Sequence, residues 1–298
     1  MSLKNKMNES TTEYCDRIRV AANAINNAER IIVGVGAGMS ASGGLNYSDP
    51  ALSEKWYPDY YAMGKKSIVD IMAGYWPTSI NNRNATAFWG FWAKHIYHIR
   101  YEPEVLQPYS HLYRITNGKK HFICSSNVDG QLEKAGFDKD VIFAPQGDYA
   151  LFQCEKPCSH EVYDNKIMID AMFANMADTF EIRQDDVPLC PKCGGFLMPN
   201  LRCDHRFVEK PHVQSIKRYE QFFAESFDCK TVLLELGVGY NTPGIIRFPF
   251  ESLAVNYRSM TLIRINLYDA DVPGRIADRA VSIKEDVGNT LNDILAIL

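Results

Sequence analysis

The chain has no hydrophobic run long enough to span a bilayer: apolar stretches such as 231–236 fall far short of the roughly 20 residues a spanning helix needs. It has no basic excess either. With 32 Lys and Arg against 36 Asp and Glu, the formal net charge is −4, which argues against the basic stripe of a nucleic-acid binder. Gly/Ser linkers, low-complexity tracts, long like-charge blocks and repeats of useful period are all missing, so solenoids, arrays and disordered scaffolds drop out. Residues 1–10 are polar, with no hydrophobic segment that would read as a secretory signal. The expectation is a cytoplasmic globular protein with neither membrane nor nucleic acid among its partners. What is present is ample: 298 residues, 46% apolar, enough for one large core with or without a satellite module.

Eight cysteines divide into two kinds. Cys15, Cys124, Cys203 and Cys229 stand alone, while Cys154/Cys158 and Cys190/Cys193 form two close pairs. In a chain of this size without a signal, paired cysteines point to metal binding or redox work rather than to disulfides.

Tyr14, Ile18, Ala21, Ala22, Ile25 and Ala28 recur at helical spacing and predict an amphipathic helix over 13–30. Continuous apolar runs predict strands at 31–35, 121–125, 141–144, 231–236, 261–267 and 280–283. Runs of this kind, separated by helical patterns, are what buried parallel strands look like. The fold class read from them is α/β, a doubly wound, Rossmann-like parallel sheet. Two stretches break the alternation. Residues 45–100, with Trp56, Trp76, Trp89 and Trp92, read as a helical insertion, and 153–207, with both cysteine pairs, as a small module. The remaining segments, 1–44, 101–152 and 208–298, make up the Rossmann-like domain. Phe88, Trp89, Phe91, Trp92, His95 and Tyr97 crowd one helical stretch, and core packing explains them better than a cleft wall. His95, His98 and His111 read as packing or surface residues.

Gly34, Gly36 and Gly38 follow the first strand in quick succession, a turn whose backbone N–H groups can face a pyrophosphate at a helix N-terminus. A tight strand-to-helix turn without ligand is the alternative. The nine residues from Gly36 to Gly44, Gly-Ala-Gly-Met-Ser-Ala-Ser-Gly-Gly, resemble the GAGxSxxSG signature of sirtuins. Ser125 to Gly136, which contains Asn127-Val128-Asp129-Gly130, resembles the sirtuin TQNIDxLHxxAG stretch, at a separation of about 80 residues. Cys190-Pro191-Lys192-Cys193-Gly194-Gly195 resembles half of that family's zinc ribbon, and Ile265-Asn266 stands where sirtuins hold the adenosine ribose. The resemblance implies an enzyme that consumes NAD as co-substrate. It assigns Gly36, Ala37, Gly38, Ser40, Gly237, Gly239, Asn266 and Val287 to the cofactor, Asn127 to the nicotinamide-side ribose and Asp129 to the carboxamide. From the residues alone, Asn127 and Asp129 also read as Asx-turn caps at a strand end.

Three departures from the family pattern bear on function. Gln146, in Ala144-Pro145-Gln146-Gly147-Asp148, stands where deacylases carry a catalytic histidine, and an amide is no general base. Leu45-Asn46-Tyr47-Ser48-Asp49 replaces the usual PDFR run, and Gly237-Val238-Gly239 replaces GTS. Together they resemble the class M, macrodomain-linked sirtuins. That resemblance implies mono-ADP-ribosyl transfer to a lipoylated carrier related to glycine-cleavage H protein, with a macrodomain protein removing the mark. Arg202, where sirtuins have an apolar substrate-contacting strand, is a candidate for a phosphate or carboxylate on the acceptor; a solvent-facing linker arginine is the plain alternative. Asn127, Gln146 and Arg202 are the expected catalytic set, with Asp204 or His205 as the base if one exists.

Cys154, Cys158, Cys190 and Cys193 offer four thiolates to a structural zinc, although the 31 residues between Cys158 and Cys190 exceed the usual gap of about 15–20. Four reduced cysteines, a ribbon without metal and His160 as a substitute ligand stay open. So do an NAD-dependent lysine deacylase, an NAD hydrolase and a non-catalytic NAD or ADP-ribose binder as rival functions.

Overall fold

The computed structural model describes residues 3–176 and 180–298, with side chains described from residue 13 onward. Its main sheet has six strands, all parallel: β1 Arg30–Val35, β2 Lys120–Ser125, β3 Ile142–Phe143, β7 Thr231–Leu236, β8 Met260–Ile265 and β9 Ala280–Ile283, in the order β3-β2-β1-β7-β8-β9. This is the doubly wound order, in which the chain direction of successive crossovers reverses beside β1. Strands expected at 231–236 and 280–283 occur with those bounds, whereas the one expected at 141–144 is a two-residue edge strand.

Alternation along β1 explains the layers, since successive side chains leave a strand on opposite faces. Ile31, Val33 and Val35 join Ile18, Ala22 and Ile25 of helix Leu3–Asn27 and Leu291 and Ile294 of helix Val287–Leu295. Ile32, with Leu233 and Leu262, meets Phe250, Leu253 and Ala254 of helix Arg247–Asn256 on the other face. Both faces are therefore covered, as the continuous apolar runs require.

The two stretches outside the alternation form one lobe. Strands β4 Gly147–Cys154, β5 Val162–Asp164 and β6 Leu197–Leu201 make an antiparallel sheet in the order β5-β4-β6. The boundary expected at 153 thus falls inside β4, because the small sheet begins at Gly147. Helix Ala85–Ile96 of the 45–100 insertion packs on this sheet, with the Trp89 and Phe152 ring centroids 4.5 Å apart. Phe88, Trp89, Phe91, Trp92 and His95 are all buried, so the aromatic stretch is core, and burial drives the His95 pKa down to about 3. Gly90 is needed there because a Cβ would lie 1.9 Å from the Phe180 carbonyl oxygen. Among the described residues no helix is long and apolar enough to cross a membrane.

Paired partners in β7 and β8, Glu235 and Arg264, are wholly buried in the face covered by Arg247–Asn256. Arg264 donates Nε to Glu235 Oε1 at 2.7 Å and Nη2 to Oε2 at 2.9 Å, and its Nη1 lies 2.9 Å from Glu251 Oε1. Arg247, beside them, donates to the carbonyls of Asp269 (2.9 Å) and Asp271 (3.2 Å), which holds the loop after β8. Arg264→Met would leave Glu235 buried without its main counter-charge. The expected loss is about 3–5 kcal/mol of unfolding free energy, read from denaturant titration.

Candidate functional site

β1, β2 and β7 end in register, Val35 beside both Ser125 and Leu236, so the turns that follow them meet at one edge of the sheet. Open α/β sheets bind ligands at this edge, where strand order reverses. The turn after β1 and the turn after β7 touch backbone to backbone. Gly38 N donates to the Gly237 carbonyl and Gly36 N to that of Leu236, both at 2.9 Å. A Cβ on Gly36 would lie 2.6 Å from Gly237 O, and one on Gly38 2.7 Å from Gly237 Cα. Gly237 itself has φ +62°, the left-handed region that favours glycine. Ala37 is exposed on the first turn of helix Ala37–Ser42, and Gly239 has open space around it.

The structure brings Ser40, Asn127 and Asp129 together. The Asn127 Nδ2 group lies 2.9 Å from the Gly36 carbonyl, 3.0 Å from Ser40 Oγ and 2.9 Å from the Tyr109 hydroxyl. Ser40 Oγ donates to Asp129 Oδ2 at 2.5 Å, and Gln131 N donates to Oδ1 at 3.0 Å. Asp129 is an Asx cap for the following turn, as the plain reading of the sequence expects. Burial pushes its carboxyl above the ordinary carboxylate range, opposed by the Ser40 and Gln131 donors and by the charge of Arg100. Burial also lifts the Tyr109 phenol well above its usual range, so it serves as a neutral hydroxyl. Among the described residues no donor reaches Asn127 Oδ1.

Gln146 sits on the loop between β3 and β4. Gly147, with φ +101°, turns the chain so closely over β6 that a Cβ would lie 2.0 Å from the Asn200 carbonyl oxygen. The half-buried Gln146 accepts from Arg202 N at 3.0 Å through its backbone carbonyl, and among the described residues its side-chain amide has no hydrogen-bond partner. Arg202 is adjacent through that bond. Its guanidinium donates to the Pro145 carbonyl at 2.7 Å, pairs with Glu209 and lies 4.4 Å over the Phe207 ring. Asp204 is taken up by Arg206, which holds its carboxyl below the usual range, and His205 is exposed.

The structure places two cofactor candidates in supporting positions. Asn266 donates to the Val238 carbonyl at 3.0 Å and accepts from Tyr268 N and Asp269 N, which joins the loops after β7 and β8. Val287 points into the core beneath its helix, so its side chain is turned away from the strand ends. Sequence reasoning missed Tyr109, Arg100 and His212. Tyr109 looks like any apolar helix position in sequence. His212 stacks on Phe207 with centroids 5.3 Å apart and hydrogen-bonds Asn200 Oδ1 through Nε2 at 3.0 Å.

Away from the cleft, the four cysteines of the two pairs converge. Cys154 and Cys193 sulfurs are 3.6 Å apart, as are those of Cys158 and Cys190, and all four lie within 4.8 Å of one another. Tetrahedral zinc with Zn–S near 2.3 Å needs sulfurs separated by about 3.8 Å, so the set fits the ion without His160. The knuckle is built by Gly194 N donating to the Cys190 carbonyl at 2.9 Å and Cys190 N to Gly195 at 2.7 Å. Burial resists ionisation of Cys190, but the Cys193 and Lys192 N–H groups outweigh it and bring its pKa down to about 6. A zinc ion here would close the lobe without entering any chemistry. Cys190→Ala should lose bound zinc, measured by elemental analysis, and lower Tm, while the parallel sheet keeps its far-ultraviolet signal.

No protein-family model matches the chain. It is 28% identical over 295 residues to a protein described as "Protein ADP-ribosyltransferase" from Staphylococcus aureus (strain Mu50), covering 98% of this chain and 91% of that one. It is 26% identical over 289 residues to a "Probable bifunctional ADP-ribose hydrolase/ADP-ribosyltransferase" from Fusarium oxysporum f. sp. cubense. That match covers 92% of this chain but 47% of the fungal protein, so the chain spans about half the length of that relative. Among solved structures, a Sir2 homologue in complex with NAD superposes with a TM-score of 0.58 at 15% identity, over 94% of this chain and 93% of that one. The fold is the sirtuin fold, and the similarity to a protein ADP-ribosyltransferase runs along nearly the whole chain.

Proposed function

We propose that this sirtuin-fold chain transfers ADP-ribose from NAD to a protein acceptor and releases nicotinamide. The observation that carries the reading is at Gln146, where the sirtuin resemblance implies the proton-accepting side chain of a deacylase. An amide without a hydrogen-bond partner among the described residues stands there instead, on the loop into β4, the strand whose Tyr149 N donates to the Val128 carbonyl between Asn127 and Asp129. Asp204 is already bound to Arg206. The residues at the sheet edge fit NAD. The glycine turn opens at the strand ends, Asn127 Oδ1 receives no donor among the described residues, and Asp129 offers a buried acceptor.

NAD supplies an ADP-ribosyl group whose C1′–N bond breaks with the electron pair leaving on nicotinamide, while the acceptor nucleophile bonds to C1′ and gives up its proton. Asn127, held by Gly36, Ser40 and Tyr109, directs its carbonyl at a ribose hydroxyl. Asp129 accepts from the carboxamide and orients the leaving group. Gln146 donates to or accepts from the ribose without taking a proton. Catalysis of this kind rests on position and on stabilising charge as it develops. Arg202, exposed at the rim and stacked on Phe207, contacts the acceptor.

The acceptor we propose is a lipoylated carrier protein, with a macrodomain protein as the counterpart that removes the mark. The class M pattern of Gln146 with Asn127-Val128-Asp129 supports this. So does the fungal relative, whose description couples ADP-ribose hydrolase to the transferase in one protein.

Intact-mass spectrometry tests the reading. Incubated with NAD, a lipoylated carrier and an acetyl-lysine peptide, the protein should add ADP-ribose to the carrier and leave the peptide intact. Asn127→Ala should cut the rate at least about 100-fold. A deacetylated peptide with no adduct would sink the transferase reading.

A pH profile follows from Asp129. Its folded pKa is raised by burial, and the carboxylate is the form that accepts from the carboxamide. Nicotinamide release, followed as kcat/KM for NAD, should therefore decline as pH falls through a value above the ordinary Asp pKa of about 3.9. Asp129→Asn should abolish that acid limb and raise KM.

A further inference from the structure

We infer that Arg100, a residue of the helical insertion, is a positioning residue for the reaction: it clamps the loop carrying Asn127 and Asp129 against the loop carrying Gln146. This rests on the transferase reading above.

Arg100 lies in a π-helical turn, Tyr97–Tyr101, that follows helix Ala85–Ile96. Such widened turns re-aim side chains and recur at functional sites. The side chain is 10% exposed, unusual for arginine unless it is paired. Its guanidinium lies flat against Gly130, the residue after Asp129. A Cβ on Gly130 would be 2.0 Å from the guanidinium carbon and 2.1 Å from Nη1, and Gly130 has φ +69°. Glycine is therefore demanded twice, by the backbone conformation and by the cation.

Arg100 donates Nε to Asp148 Oδ1 at 3.0 Å and Nη2 to Asp148 Oδ2 at 3.4 Å, a two-point grip on the residue two beyond Gln146. Nη2 also reaches Glu133 Oε2 at 3.4 Å, in the short helix that follows Asp129. Asp148 in turn accepts from Ala150 N at 2.7 Å, so the grip passes into β4. One buried cation thus joins three separately folded segments, and two of them carry the residues proposed to act on NAD. A planar fork is suited to this and an ammonium is not.

The same cation has an electrostatic effect. The groups facing Asp129 are Tyr109, Tyr47 and Tyr149, kept neutral by burial, and the charged Arg100, Asp148 and Lys134. Arg100 favours the Asp129 carboxylate and Asp148 opposes it. The two charges of the clamp therefore act on Asp129 with opposite signs, which a purely structural brace would not do.

The test measures nicotinamide release from NAD by Arg100→Met, Arg100→Lys and Asp148→Asn across pH, with zinc content and Tm as checks on folding. Arg100→Met should lower kcat about 10- to 100-fold and move the acid limb of kcat/KM upward by about one pH unit. Arg100→Lys should restore the limb but only part of kcat. Asp148→Asn, which keeps the cation and can still accept from Ala150 N, should lower kcat and move the limb downward, and it decides the matter if Arg100→Met does not fold. Limbs that stay at the wild-type position, or that move the same way in Arg100→Met and Asp148→Asn, would overturn the inference while leaving the transferase reading intact. A wild-type protein that releases no nicotinamide would overturn both.

Discussion

The contact between the turn after β1 and the turn after β7 is the constraint on which the rest of the site depends. Gly36, Gly38 and Gly237 approach so closely that a single Cβ at any of them would meet backbone at 2.5 to 2.7 Å. Backbone cannot swing aside as a side chain can, so the two turns move as one. Asn127 is tied to the same assembly through the Gly36 carbonyl, and Asn266 through the Val238 carbonyl. The sheet edge is thereby preorganised before any ligand arrives, and preorganised polar groups cost no reorganisation when charge develops.

Charge is handled in two ways within this frame. In the sheet, Glu235 and Arg264 are buried and fully paired, and with Arg247 they hold the loop after β8 from beneath. At the cleft, the groups nearest the proposed chemistry are neutral amides and hydroxyls: Asn127, Gln146, Ser40 and Tyr109. Asp129 is the exception, a buried carboxyl whose two donors, Ser40 and Gln131, satisfy one oxygen each and leave lone pairs for a third. The buried Glu235–Arg264 pair thus serves rigidity, while Asp129 is the one carboxyl among these cleft groups.

The parallel sheet was legible because a strand covered on both faces must be apolar without interruption, and 231–236 or 280–283 can be read almost to the residue. The Gly36–Gly38 turn, Asn127, Asp129 and the four cysteines were legible as local patterns. The reason for the glycines was not. Sequence reading assigns them to a phosphate, whereas the structure shows that their missing Cβ atoms also make room for Gly237, two hundred residues away in sequence. Arg100, Tyr109 and His212 were invisible for the same reason, since each acquires its role only through partners brought by long-range folding. Val287 begins the helix after the last strand, and the burial of that helix takes its side chain into the core.

Gln146, at the position where the sirtuin resemblance implies a histidine, is no base but is a side chain of similar reach that both donates and accepts. A deacylation pathway must deprotonate a ribose hydroxyl to go forward, so it stalls at that step. Transfer to an external nucleophile needs no proton taken from the ribose; it needs nicotinamide to leave and the acceptor to lie in line. The acceptor's own proton can pass to water at a rim as open as that around Arg202, which is exposed. On the transferase reading proposed above, the change is a change of reaction rather than a loss of one. The frame proposed to orient the ribose is assembled through the Asn127 hydrogen bonds, and the single group that would divert the intermediate toward deacylation is missing.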